Sequence, residues 1–258
     1  MRHIVLGEDG VELSTHRPDA VGMQIPGGVG CLNAQPAGGA LYDGAMLILA
    51  PLMIEAWALR RGVRAATADG RPDGAGPPSA MVVRTGMGPK AATRMGERVA
   101  GLAGGGPVVV AGFCGGLRAE IHTGDVIVAS EVRGPGAVLR LPSATAVAEM
   151  LRAAGLTVHV GPIVASDRVA LGGRRAQAAA DGSLGVDMES YWLLENYADS
   201  GIQPPDSVAV VRAVSDTAGE ALFGGMLPTG WLKAYRSLVR VGALLDRWAD
   251  GATLTTVT

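Results

Sequence analysis

The chain has 258 residues, a formal net charge of −2, 48% hydrophobic residues and 18% charged residues. That length suits one large α/β domain with a sizeable core, and the near-zero charge leaves no electrostatic footprint for nucleic acid. Cys31 and Cys114 make no CxxC pair, and His3, His16, His122 and His159 are scattered without an HExxH. A metal site and a disulfide framework are therefore not expected, and a reduced, cytoplasmic setting is.

Residues 1–44 differ from the rest. "PGGVGCLNAQPAGGALYDG" is rich in Gly, Pro and Asn, which predicts an appended arm with at most a short strand at Ile4–Leu6. "MRHIVLGEDGVEL" meets Glu and Asp almost at once and does not read as a signal peptide. The folded domain is expected over 45–250, followed by a tail at 251–258. It opens with "AMLILAP", Ala45–Pro51, a continuous apolar run that suits a strand buried on both faces. A short helix follows at Met53–Arg61, then the loop "TADGRPDGAGPPS". "AMVVRTGMG" reads strand to turn, and "PKAATRMGERVAGLAG" reads helix, with Pro89 in its first turn.

"PVVVAGFCGG" is a buried strand that ends in glycines, and "GDVIVASEV" is another strand. Ala144–Ala154 reads as a helix and "TVHVGPIVASD" as one or two strands. In "GVDMESYWLLENYADSG", residues 185–201, a strand end gives way from Met188 to a helix whose Trp192, Leu193, Leu194 and Tyr197 share a face. "SVAVVRAVSD", Ser207–Asp216, is a buried strand with a polar end. "GWLKAYRSLVRVGALLDRW" closes the domain as an amphipathic helix, with Trp231, Leu232, Tyr235, Leu238, Val239 and Leu245 toward the core. Strands alternating with helices predict a mostly parallel or mixed sheet with helices on both faces. No apolar run reaches the length of a membrane span.

Ligands of open α/β sheets bind outside the carboxyl ends of the strands. Those ends supply Glu55, Thr85-Gly86-Met87-Gly88, Gly112-Phe113-Cys114-Gly115-Gly116, Ser166-Asp167, Asp187-Met188-Glu189, and Arg212 to Asp216. The set is acids, one arginine, and glycines that let backbone approach a ligand. It holds no Ser-His-Asp constellation. Asp187 also suits the role of helix cap, and Glu189 the positive end of a helix.

The order "LAPLMIEAWAL", "VVRTGMGPKAA", "VVVAGFCGGLRAEIHTGDVIVA", "GPIVASD", "VDMES" and "VVRAVSD" resembles the nucleoside phosphorylase/nucleosidase superfamily over about residues 45–249. That superfamily includes purine nucleoside phosphorylases and methylthioadenosine/S-adenosylhomocysteine nucleosidases. "RTGMGPKAA", "GFCGGL", "GDVIVA" and "VDMES" are most similar to its hopanoid-associated phosphorylase-like branch, which is linked to removal of adenine from adenosylhopane. The resemblance implies a nucleoside phosphorylase-like α/β domain and cleavage of a purine N-glycosidic bond. It implies Met188 against the ribose, Glu189 accepting from ribose hydroxyls, Asp216 as acid toward the leaving purine with Ser215 orienting it, and Arg212 near the attacking group. Gly86, Gly88, Phe113, Gly115, Ser166 and Asp167 complete the expected substrate-binding set.

Chemistry agrees at two points. An ionised carboxylate is acceptor-only and suits a sugar diol. A carboxyl at an apolar strand end is desolvated, which favours the protonated form that an acid needs, unless the proton arrives with the transition state.

Phosphorylases need cations for their oxyanion. In similar bacterial enzymes an arginine follows the first strand, another precedes the glycine loop, and a hydroxyl lies within it. This chain has Glu55, "VVVA" and Phe113-Cys114 at those places. A carboxylate repels phosphate and suits water as a base, although Arg84 remains available to phosphate. The expectation is a cofactor-free purine nucleosidase acting on an adenine nucleoside with an apolar 5′ group, by hydrolysis before phosphorolysis. Methylthioadenosine- or futalosine-type nucleosidases, a phosphate-dependent phosphorylase, and a catalytically degenerate nucleoside-binding protein are the alternatives. A homodimer or larger homo-oligomer is expected, partly because Met23, Ile25, Leu32, Leu41 and Tyr42 of the arm need cover. No transmembrane segment is expected, and peripheral membrane contact follows only for a lipid nucleoside.

Overall fold

The computed structural model describes residues 3–7, 10–14, 45–70, 80–103, 106–170, 172–198, 207–217 and 229–255. The chain divides into two compact units, Met1–Leu41 and Tyr42–Thr258. In the first, His3–Gly7 (β1) and Gly10–Ser14 (β2) pair antiparallel, with Gly7 opposite Gly10. The single strand expected at Ile4–Leu6 is thus half of a hairpin. The arm's Met23, Ile25, Leu32, Leu41 and Tyr42 lie outside the described residues.

In the second unit, Met46–Ala50 (β3) is followed by Met53–Gly70 (α1), Ala80–Arg84 (β4), Pro89–Ala103 (α2), Val108–Gly116 (β5), Val126–Arg133 (β6) and Val138–Arg140 (β7). Then come Ala144–Ala153 (α3), Val158–Ala165 (β8), Gly173–Ala180 (α4), Gly185–Asp187 (β9), Ser190–Ala198 (α5), Val208–Asp216 (β10) and Thr229–Thr255 (α6). "TVHVGPIVASD" forms one strand, not two. The helix after "GVD" starts at Ser190, later than Met188. The last helix runs to Thr255, beyond the expected helical segment 230–248, and Leu232 is 52% exposed instead of core-facing.

β4, β3 and β5 pair in parallel, in that order. β5 then pairs parallel with β10, and β10 antiparallel with β6. β6 pairs parallel with β8, β8 parallel with β9, and β9 returns antiparallel to β5. The sheet is therefore mixed, and five of its strands close on themselves as β5-β10-β6-β8-β9. β7 adds to β6 as an antiparallel flank.

Side chains alternate across a strand, and β5 and β10 use this to separate core from chemistry. Val109, Ala111 and Phe113 on β5 and Ala209, Val211 and Ala213 on β10 join one apolar core with α1, α3 and α6. Gly112 and Arg212 are register partners on these two strands, and both have the opposite parity. Near the end of β10 the register shifts between Val214 and Asp216, so Ser215 is an extra residue. Such bulges re-aim the side chains beside them.

Candidate functional site

The ends of β3, β5, β9 and β10 bring together the residues that the sequence placed there. Glu55, in the first turn of α1, is 2% exposed, so it is not a solvated helix residue. Its Oε2 accepts a hydrogen bond from Leu52 N at 2.6 Å, the return contact of a capping box. Its Oε1 accepts from Phe113 N at 2.6 Å, which ties α1 to the end of β5. Phe113 packs its ring edge-on to Trp231, with centroids 5.0 Å apart.

Arg212 is 0% exposed. Its Nη2 lies 2.7 Å from Asp187 Oδ2 and donates to Ser190 Oγ at 2.8 Å. Asp187 accepts at Oδ1 from Glu189 N and Ser190 N, each at 3.2 Å, and at Oδ2 from Ser190 Oγ. It therefore caps α5 and holds the arginine at once. Glu189 Oε1 accepts from Gly88 N at 2.8 Å. Gly88 has φ +83 and Gly86 φ +90, a backbone that favours glycine, and this turn carries the GMG loop to the DMES segment. Met188 follows it: its Cε lies 4.0 Å from where a Cβ on Gly88 would stand.

Glu55 and Arg212 meet over Gly112. A Cβ there would lie 2.6 Å from Glu55 Oε1 and 2.7 Å from Arg212 Nη1. Gly112→Ala is therefore expected to lower stability by about 1–3 kcal/mol through overpacking, read in a thermal melt. An unchanged melting temperature would contradict this packing.

The electrostatics follow from burial. Desolvation pushes Glu55 up to about 7, although Arg212 and the two amide donors pull the other way. Desolvation raises Glu189 too, again against Arg212. For Arg212 burial disfavours the charge, but Asp187, Glu189 and Glu55 outweigh it and its pKa is raised. Burial also pushes the Cys114 thiol up, so it stays protonated and is a poor nucleophile.

Asp216 does not have the apolar surroundings that the sequence suggested. Arg175 Nη1 lies 2.6 Å from its Oδ2, and Ser215 Oγ donates to its Oδ1 at 2.7 Å. Arg175 and Ser190 are the partners that sequence reasoning missed. Ser190 sits inside the quoted "VDMES", three residues after Asp187, where a cap partner is common. Arg175 lies in "GGRRAQAAADG", which carries no such signal.

Ser166 N donates to Asp187 O at 2.7 Å, which sets Ser166 and Asp167 beside that residue. Ser166 Oγ donates to Arg168 O at 2.6 Å, and Asp167 faces Arg168 from an exposed position. Gly115 faces Arg175: a Cβ on it would lie 2.9 Å from Nη2. Arg84 is exposed at the end of β4.

A model of the phosphorylase superfamily matches residues 77–228. No curated protein matches the chain. Among solved structures, futalosine hydrolase of Helicobacter pylori is similar at a TM-score of 0.64 and 16% identity, covering 81% of this chain and 98% of its own. The 5′-methylthioadenosine/S-adenosylhomocysteine nucleosidase of the same organism gives 0.63 and 14%, covering 81% and 99%. A putative methylthioadenosine nucleosidase from Weissella paramesenteroides gives 0.60 and 17%, covering 82% and 99%. At these identities the likeness is one of fold.

Proposed function

The chain belongs to the phosphorylase superfamily, and from that premise we propose that it is a purine nucleosidase that uses water. The observation that carries this reading is Glu55, a buried carboxylate near neutrality beside a buried arginine. A general base works best with a pKa near the working pH. A phosphate dianion would meet Glu55 and Glu189 there, and Arg212 is already paired with Asp187. Like charges at such range repel strongly in a low-dielectric site.

In the proposed step Glu55 takes a proton from water as its oxygen bonds to C1′ of the ribose. The C1′–N9 bond breaks, and its electron pair passes into the purine. Asp216 gives its carboxyl proton to N7 of the purine, the proton that Glu55 took from water returns to Asp216 through solvent, and the products are free base and free pentose. Glu189 accepts from the ribose hydroxyls, Met188 lies against the sugar, and Gly86 and Gly88 line the approach, while Phe113, whose ring packs in the core, contributes its backbone N–H to Glu55.

The proposed substrate is an adenine nucleoside with a bulky apolar group at C5′, as in the hopanoid-associated branch. Its support is the apolar surface of the α1 start and the GMG turn. Met53 and Ile54 flank Glu55 and are exposed, Trp57 is 58% exposed and Met87 is 65% exposed. Among the described residues no helix is long and apolar enough to cross a membrane.

The test is chromatography of adenine released from adenosine, methylthioadenosine, futalosine and a long-alkyl 5′-adenosyl compound, with and without phosphate. The expected result is release in phosphate-free buffer, fastest for the long-alkyl compound, with free pentose as co-product. Strict phosphate dependence with ribose 1-phosphate as product would refute the hydrolytic reading. Preference for methylthioadenosine or futalosine would move the substrate to the activities named for the structural relatives.

A further inference from the structure

We propose that Arg175 is a positioning residue for the proposed reaction, fixing the Asp216 carboxylate that faces the leaving base. The inference rests on the nucleosidase reading and adds to it a residue from outside the strand ends. Arg175 lies on α4, is buried, and reaches Asp216 with both terminal nitrogens. Nη1 donates to Asp216 Oδ2 at 2.6 Å, and Nη2 donates to Asp216 O at 3.0 Å and to Gly116 O at 2.8 Å. One guanidinium thus holds the side chain and the backbone of the same aspartate, and ties both to the end of β5. Ser215 Oγ holds the other carboxylate oxygen: its one proton goes to Asp216 Oδ1 at 2.7 Å, with Cys114 O the more distant acceptor at 3.2 Å. With a donor at each oxygen, the plane of the carboxylate is set from two sides, and each oxygen keeps a further lone pair for a ligand.

Two features of the local sequence make room for this arrangement. The bulge at Ser215 turns Ser215 and Asp216 out of the regular strand register. Gly115 lacks the Cβ that would stand 2.9 Å from Arg175 Nη2 and 3.4 Å from Asp216 Oδ2.

Stability alone is a weak reason to build such a pair, because a buried ion pair seldom outperforms apolar packing. Arg175 Nε is also buried with no hydrogen-bond partner among the described residues, a further desolvation cost. The geometry is better suited to holding one carboxylate in one orientation. As the glycosidic bond breaks, negative charge grows on the purine. A fixed guanidinium gripping Asp216 keeps the carboxyl aligned with N7 as that charge grows.

The test uses Arg175→Ala and Arg175→Lys in the full chain, with adenine release as the assay and circular dichroism melts alongside. Arg175→Ala is expected to lower kcat by about 10²-fold, the scale of a misplaced catalytic group, with KM changed by less than about threefold. Added guanidinium ion at millimolar concentration should restore part of kcat in a saturable way. Arg175→Lys should recover little, because an ammonium cannot make the two-nitrogen grip. A kcat for Arg175→Ala within about twofold of wild type overturns the inference. So does a loss that tracks the unfolded fraction and that guanidinium does not rescue. If Arg175→Ala does not fold, Arg175→Lys decides by the same measure, and wild-type kcat in it overturns the proposal. A wild-type protein that releases no base removes the nucleosidase reading and this inference with it. An active wild type with an equally active Arg175→Ala removes this inference alone.

Discussion

Replacing Glu55 by Gln is expected to lower kcat/KM for base release by about 10²–10⁴-fold, the usual scale of a lost general base. It should also erase the acidic limb of the pH profile. In the wild type Glu55 must be ionised to take a proton from water, and burial holds it at about 7. Wild-type kcat/KM should therefore rise with pH up to about 7 and level off above it. Gln has no such ionisation, so its residual activity should lack that limb. A variant that keeps both the limb and wild-type activity would remove Glu55 from the chemistry.

The same shift has a signed consequence for folding. The folded chain keeps the Glu55 proton to a higher pH than the unfolded chain does. Its contribution is fully present below the ordinary value of 4.5 and is lost as pH rises through about 7. The ionised form that the reaction needs is the form that folding disfavours, which is common where a site is built from buried charge.

Replacing Arg212 by Met is the second large effect, and it falls first on stability. Arg212 is the cation among Asp187, Glu189 and Glu55. Removing one partner of a buried pair costs about 3–5 kcal/mol, because the other charge stays buried and unpaired. In a chain of this size that lowers the melting temperature by on the order of 10 °C. The loss should grow from acid to neutral pH as the orphaned carboxylates ionise. Differential scanning calorimetry at two pH values would check it. A melting temperature unchanged at both would mean that the arginine does not neutralise this cluster.

Both substitutions concern residues that the sequence made legible, and for one reason. Glu55, Glu189, Arg212 and Asp216 lie at the carboxyl ends of apolar runs, and the rule about strand ends needs no knowledge of the tertiary structure. The runs themselves were legible because burial on both faces leaves few polar residues in β3, β5 and β10. Arg175 was not legible. It acts across the fold on Asp216, from a short helix whose sequence pattern concerns only its own packing against Leu117, Ala170 and Val186. Ser166 and Asp167 also sit at a strand end, where their side chains meet Arg168 and the Ser166 amide donates to Asp187 O. Leu232 fitted the helical stripe and still faces outward, since a period places a residue near a face without deciding how far the neighbouring layer extends.

Among the described residues, the strand that completes the closed sheet is also the last to be made. β10 spans Val208–Asp216, and its partners β5 and β6 end at Gly116 and Arg133. During synthesis those two strands must wait with unpaired ladder groups until β10 leaves the ribosome. Pairing over so long a stretch of chain is slow, because loop closure precedes the contacts that reward it. Open edges of apolar strands in that interval invite wrong partners. Arg212, Ser215 and Asp216 arrive on the same strand, so a nascent chain gains its closed sheet and its candidate site in one event. A truncated chain that stops short of Val208 should have neither, and should aggregate instead of persisting as an inactive fold.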